Sequence, residues 1–290
     1  MKVSGFTFVR NAVVYDYPIL EAINSILPVC DEVVVAVGNS EDNTLELIKS
    51  IDSPKIRIIE TVWDDSLREG GRVLAVETDK AYAAVADDSD WAIYIQGDEV
   101  MHEDYLDNVR RAMLEYKDDP EVDGLLFKYR HFYGSYDYEG DATSWYRREI
   151  RIVRKRSDIY SYKDAQGFRK GNNQKLQVKL IDAYIHHYGW VRDPVALQKK
   201  YENSSKFWNS DEWIKENIVH NEEFDFSDIE PIKLFEGKHP KVMHDRIARK
   251  NWNFSRDLSK KHYRLKDRVK LFVERLTGYR PFEYKNYKII

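Results

Sequence analysis

Two adjacent carboxylates, Asp98 and Glu99, follow Gln96-Gly97 directly after the apolar run Trp91-Ala92-Ile93-Tyr94-Ile95. Charges at the tip of a buried strand are costly unless solvated or paired. A divalent cation that carries a diphosphate needs such oxygen ligands. One or two carboxylates suffice when phosphates and water complete the shell. A polar turn capping the next helix accounts for the same four residues equally well. A second candidate is His186-His187-Tyr188-Gly189-Trp190. Successive side chains of a strand point to opposite faces, so at most one histidine looks into a pocket. Neutral imidazole ligates Mn2+ as well as Zn2+. Asp164, in Asp164-Ala165-Gln166-Gly167, lies between aromatic-rich strands. It suits a general base or a turn former. Arg68 and Arg72 flank Gly70-Gly71 at a helix start, where the helix N-terminus and guanidinium groups both favour phosphate.

The elements that must carry these groups alternate. Phe6–Val9, residues 32–37, residues 55–62 and residues 91–95 read as strands. Helices are predicted from Asp16-Tyr17-Pro18, from residue 40, from Gly70-Gly71 to about Ala86, and over 103–116. Strands alternating with helices over the first 117 residues imply a parallel sheet with helices on both faces. Ligands then bind beyond the carboxyl ends of the strands. Arg10-Asn11, residues 38–42 and residues 96–99 fall there. After Asp123 come further strands, with a strand pair expected over 175–188, then helices over 194–213 and 257–276. No Gly-x-Gly-x-x-Gly, phosphate-loop or Gly-x-Ser-x-Gly motif occurs, which argues against dinucleotide, P-loop and α/β-hydrolase chemistry.

The chain has 290 residues, 42% hydrophobic and 33% charged, enough apolar content for a sizeable core. The single Cys30 excludes an internal disulfide framework and a cysteine zinc cluster. The net charge of −4 is divided: residues 1–145 carry 13 Lys/Arg against 30 Asp/Glu, and residues 146–290 carry 33 against 20. So acidic a first half does not suit nucleic acid. No stretch approaches the length of a spanning helix, and the N-terminal residues lack a signal-peptide core. A cytoplasmic protein is expected. Residues 241–290 carry 15 basic and 5 acidic residues, with Leu265, Val269, Phe272 and Leu276 at helical spacing. Such a stripe packs on its own domain, on a second subunit, or peripherally on the anionic inner face of a membrane.

Taken in order, these segments resemble the inverting glycosyltransferases of family 2, which have the GT-A fold. The resemblance covers roughly residues 3–190 and rests on Arg10-Asn11, the run from Glu32 to Thr44, the Gly-rich helix start and the acidic motif. That family's Asp-x-Asp is here Gln96-Gly97-Asp98, and its Asp-Asp-Gly-Ser-x-Asp is here Val37-Gly38-Asn39-Ser40-Glu41-Asp42. The resemblance implies a mostly parallel α/β sheet flanked by helices. It implies a catalytic domain over 1–192, with a nucleotide-sugar half to about 117 and an acceptor half over 118–192, and a basic, mostly helical extension over 193–290. It implies Mn2+ or Mg2+ on Asp98, Glu99 and His187. The donor would meet Arg10, Asn11, Asn39, Ser40, Asp42, Arg68, Arg72 and Gln96. Asp164 would be the base, and Trp190 would meet the acceptor, with Trp145 and Tyr162 as further aromatic faces. The implied activity is hexosyl transfer from a nucleotide sugar to a glycan or lipid-linked acceptor. A sugar-phosphate nucleotidyltransferase and a non-catalytic nucleotide- or glycan-binding protein remain alternatives.

Overall fold

Residues 33–37 alternate strictly between two cores, and this sets the architecture. Val33, Val35 and Val37 pack on one face with Ile19, Ile23, Ile26, Val109 and Met113. Val34 and Ala36 pack on the other with Phe6, Ala81 and Tyr82. A strand buried on both faces reads as a continuous apolar run, as in parallel sheets. The computed structural model describes residues 1–227, 231–259, 263 and 265–290.

The chain order is β1 (Val3–Val9), α1 (Ile19–Ile26), β2 (Glu32–Gly38), α2 (Thr44–Lys49), β3 (Ile56–Thr61), α3 (Arg72–Ala83), β4 (Trp91–Tyr94), β5 (Glu99–Met101) and α4 (Leu106–Glu115). There follow β6 (Gly124–Tyr133), β7 (Ser135–Gly140), β8 (Arg148–Arg154), β9 (Ile159–Tyr162), β10 (Gly167–Lys170), β11 (Gln174–Lys175) and β12 (Gln177–Trp190). The chain ends with α5 (Pro194–Ser205), α6 (Asp211–Asn217), β13 (Ile232–Leu234), α7 (His244–Ala248), α8 (Leu265–Thr277) and β14 (Lys288–Ile289).

The main sheet runs β13-β7-β6-β8-β4-β1-β2-β3. β3, β2, β1 and β4 are mutually parallel, and β8 joins β4 antiparallel. This is the α/β arrangement, parallel in its first half and flanked by helices, expected of a GT-A-like fold. β12 runs parallel to β6 and antiparallel to β5, setting His187 opposite both His131 and Glu99.

Three expectations change. The strand pair over 175–188 is one 14-residue strand, β12, preceded by the two-residue β11. The helix over 194–213 is two helices, α5 and α6, the second opened by the Ser210 side chain accepting from Trp213 N–H. The helix expected over 257–276 is described as α8 alone, and residues 260–262 and 264 lie outside the described residues. The segment after 192 is also tied into the main sheet, through β13 on β7 and β14 on β12. Among the described residues no helix is long and apolar enough to cross a membrane.

Candidate active site

A cleft of about 340 Å³ opens across the carboxyl ends of the parallel strands, lined among others by Arg10, Gln96, Asp98, Asp164 and His187. That is where an open α/β sheet binds its ligands. Its other walls come from elements far along the chain, including Trp63 after β3, Tyr146 before β8, and Lys200, Phe207 and Trp208 on or after α5.

Asp98 is 8% exposed. Its Oδ2 accepts from Lys200 Nζ at 3.0 Å, and Arg192 lies 3.7 Å from the same oxygen. Burial works to raise the Asp98 carboxyl, but its surrounding partners, Lys200 foremost, outweigh it and hold the group well below the usual carboxylate range. Burial and then Arg192 pull Lys200 down to about 8, against the attraction of Asp98. Both cations are braced: Lys200 also donates to Gly189 O, and Arg192 donates to Tyr15 O and lies over the Tyr17 ring.

The other oxygen, Oδ1, faces His187 Nε2 at 3.7 Å. The state of that nitrogen follows from a chain of contacts. His131 Nε2 lies 2.7 Å from Tyr146 O, and its Nδ1 lies 3.1 Å from His187 Nδ1. A carbonyl only accepts, so His131 carries its proton on Nε2. Burial holds both rings toward the neutral form. His131 Nδ1 is therefore an acceptor, and His187 Nδ1–H donates to it. His187 Nε2 is left with a lone pair aimed toward Asp98 Oδ1. Two acceptors then face each other with no proton between them, an arrangement that would suit a shared cation. Asp98 and His187, one carboxylate oxygen and one oriented imidazole, would hold a transition ion such as Mn2+ more readily than Mg2+, which takes oxygen ligands, with phosphate and water completing the shell. Gly189 makes this possible: a β-carbon there would lie 2.6 Å from His187 Cε1 and 3.3 Å from Asp98 Oδ2. His186 points the other way, into an aromatic cluster with Phe132 and Tyr188.

Glu99, expected beside Asp98 on the metal, is turned into the core. Arg151 donates to both of its oxygens at 2.7 Å, and Tyr129 Oη donates to one at 2.8 Å. Adjacent residues entering β5 point to opposite sides, so Asp98 and Glu99 cannot share one ion. Glu99 instead closes the acidic turn by accepting from Gln96 N–H at 3.2 Å.

Gln96 lines the cleft, and its Nε2 donates to Ala165 O at 3.1 Å. A carboxylate at 96 could not donate, so the amide ties the acidic turn to the Asp164 loop. Lys163 and Ala165, on either side of Asp164, have φ of 55° and 61°, and side chains there are strained unless the surroundings enforce the turn. Gly71, with φ +71°, supplies part of that support. A β-carbon on it would meet Asp164 Cβ at 2.6 Å and Trp208 Cε2 at 3.2 Å. Asp164 is thus fixed at the cleft wall, and burial raises its carboxyl above the ordinary value.

The remaining expected donor residues divide. Arg10 lines the cleft beside Trp63 and is paired with Asp65 at 2.7 Å. Asn11 and Arg68 line an adjoining, more polar cleft of about 390 Å³. Arg68 is paired there with Asp211 at 2.6 Å. Asn39, Ser40 and Asp42 act as struts: Asn39 Oδ1 accepts from Trp63 N–H, Ser40 Oγ from Asn11 N–H, and Asp42 Oδ2 from Val13 and Val14 N–H. Asp42 Oδ1 accepts from Thr44 N–H and Thr44 Oγ1, so this carboxylate holds the loop after β1 and has no oxygen left for a nucleoside. Arg72 is exposed on the first turn of α3 and lines neither cleft. Trp190 stacks on Tyr133, Trp145 stacks on His131, and Tyr162 lies under Arg169, all outside the main cleft.

Sequence reasoning missed Lys200, Arg192, His131 and the aromatic wall of Phe8, Trp63 and Phe207. Trp63 lies 5.7 Å from Phe8 and 5.9 Å from Phe207, and its buried Nε1–H has no partner among the described residues. The wall is an apolar face with one free donor. No local pattern in the sequence pointed to it; Gly38 makes room for it, since a β-carbon at 38 would strike the Trp63 ring.

No family model matches the chain, and no curated protein matches it. Among solved structures it is similar to S. aureus TarS 1-349, at 16% identity over 73% of this chain and 66% of that one, with a TM-score of 0.42. The same protein in complex with UDP gives 17% identity over 73% and 67%, with a TM-score of 0.43. Glucosyl-3-phosphoglycerate synthase from Mycobacterium tuberculosis, in complex with Mn2+, UDP and phosphoglyceric acid, gives 21% over 46% and 44%, with a TM-score of 0.30. The chain spans 39% of the length of a longer TarS structure. At such identities and TM-scores the likeness is one of general architecture and carries nothing about the chemistry of the cleft.

Proposed function

We propose that the cleft is the active site of an inverting glycosyltransferase that moves a sugar from a nucleotide-sugar donor to an acceptor hydroxyl. The observation that carries this reading is the opposed pair of acceptors, Asp98 Oδ1 and His187 Nε2, 3.7 Å apart, beside the cations Lys200 and Arg192. One carboxylate oxygen and one lone-pair imidazole suit a divalent ion, and Lys200 on the cleft wall suits the diphosphate it would carry. Bound there, such an ion supplies charge neutralisation to the departing nucleoside diphosphate. Phe8, Trp63 and Phe207 offer the base a face. Lys200, which lines the cleft, holds the phosphates through charge-assisted hydrogen bonds, while the fully buried Arg192 keeps Asp98 ionised from behind. Asp164, also on the cleft wall, accepts the proton of the acceptor hydroxyl. The acceptor oxygen bonds to the anomeric carbon as the bond to the diphosphate breaks, so a single displacement inverts that centre. Trp208, exposed at the cleft beside Asp164, takes the acceptor-facing place expected of Trp190.

A thermal-shift panel of nucleotide sugars with and without Mn2+ tests the reading. At a hundred times Kd a ligand adds about 2.7 kcal/mol, roughly 5 °C in Tm for a chain of this size. Metal-dependent stabilisation by a donor, lost in Asp98→Asn, together with slow release of nucleoside diphosphate, is expected. Stabilisation by no donor under either condition refutes the reading; stabilisation without any release of nucleoside diphosphate leaves a binding protein.

A further inference from the structure

α8 turns different faces to the protein and to water. Asp267 accepts from Thr143 Oγ1 at 2.5 Å. Glu274 accepts from Arg147 at 2.7 Å and from Arg280 at 2.6 Å. With half-buried Leu271, these residues recur every three or four positions and form the inward face. Leu265, Val269, Phe272 and Leu276 form the outward face and are 78%, 57%, 63% and 70% exposed. The stripe therefore does not pack on the described residues of its own chain, the simplest of the three expected partners. Helical spacing puts Lys266 and Lys270 along one border of it and Arg268 and Arg275 along the other. Just past the helix, Phe282 is 92% exposed.

Both acids of the helix are held by the body of the protein, so the outward face is apolar at its centre and cationic at both borders. A contiguous apolar stripe on a surface marks a binding face. We propose that this face docks on an anionic lipid surface, with α8 lying in the interface plane. Leu265, Val269, Phe272 and Leu276 would enter the acyl boundary, while the Lys and Arg stems reach up to the phosphates. Charge selects this occupant over a two-fold pairing of the face with itself. Such a pairing, in either helix direction, would set cationic border against cationic border. The proposal is independent of the chemistry of the cleft.

Co-sedimentation of the full chain with vesicles of equimolar phosphatidylglycerol and phosphatidylcholine tests it. The protein is expected to pellet at low salt, to be released at high salt, and to ignore vesicles of phosphatidylcholine alone. The double substitution Phe272→Ser and Leu276→Ser is expected to cut partitioning on the order of tenfold or more. Because both positions are exposed, circular dichroism and Tm should be unchanged. Lys266→Glu with Arg268→Glu should weaken binding by a similar factor. Absence of wild-type binding to the anionic vesicles at low salt overturns the proposal. So does binding that the Phe272/Leu276 variant leaves undiminished, since charge alone would then explain it. A dimer in sedimentation velocity that the same variant dissolves would put a second copy on the face and overturn it as well.

Discussion

Replacing His131 tests the reasoning about the cleft most directly, because that residue touches neither donor nor acceptor in the proposed reaction. His131 donates to Tyr146 O at 2.7 Å and accepts from His187 Nδ1 at 3.1 Å. It is stacked between Tyr129 and Trp145, with centroids at 5.5 and 5.1 Å. In His131→Leu both bonds vanish. The His187 ring is then free to carry its proton on Nε2, which abolishes the lone pair toward Asp98. Outer-shell partners of metal-bound histidines are worth about 10–100-fold in metal affinity, so Mn2+ binding should weaken by that factor. Two buried polar groups are also left unpaired, at about 1–3 kcal/mol each, so Tm should fall. His131→Gln separates the two effects. Its amide can donate to Tyr146 O and accept from His187 Nδ1–H, which should return most of the Mn2+ affinity. The assay is titration of the nucleotide-free protein, following free Mn2+ by its paramagnetic resonance signal, with no turnover required. A folded His131→Leu protein that binds Mn2+ within about twofold of wild type would refute the relay, as would a Gln variant no better than Leu.

Glu99→Gln should act on stability rather than on metal. It removes one partner of a fully buried pair with Arg151, so denaturant unfolding should show a loss of about 3 kcal/mol or more, with Mn2+ affinity of the folded protein retained. Asp164→Asn should cost about 10²–10⁴-fold in transfer while donor-induced stabilisation persists; full activity would dismiss it as the base. Because burial raises the Asp164 carboxyl, the acid limb of the pH–rate profile should lie above the pH where an ordinary aspartate ionises. Glu149 gives a pH effect on stability. Burial pushes its carboxyl from 4.5 up to about 8, so between those values the folded chain keeps a proton that the unfolded chain has lost. Stability therefore declines as pH rises through that window. Glu149→Gln should flatten the decline, as chemical denaturation at a series of pH values will show.

The succession of strands and helices in the first 117 residues was legible because local rules suffice. Apolar runs such as Val33–Val37 suit a strand buried on both faces, and topology then places Arg10, Gln96 and Asp98 at the carboxyl ends. Asp164 was likewise readable as a carboxylate on a turn, and the structure brings it to the same cleft. Other assignments depended on distances that no local pattern encodes. Glu99 and Asp98 are neighbours in sequence, yet the pleat sends one to Arg151 and the other to Lys200. His131 and His187 are 56 residues apart and meet only because β6 and β12 pair in that register. Asp42 looked like part of a donor motif, but the loop after β1 takes its Oδ2 and Thr44 takes its Oδ1. At the other end, the sequence determined that α8 would be amphipathic and basic. Which face turned inward was decided by Arg147 and Thr143, which capture Glu274 and Asp267. A helical pattern fixes the angle between faces, whereas the side that meets the protein depends on groups the chain delivers from more than a hundred residues away.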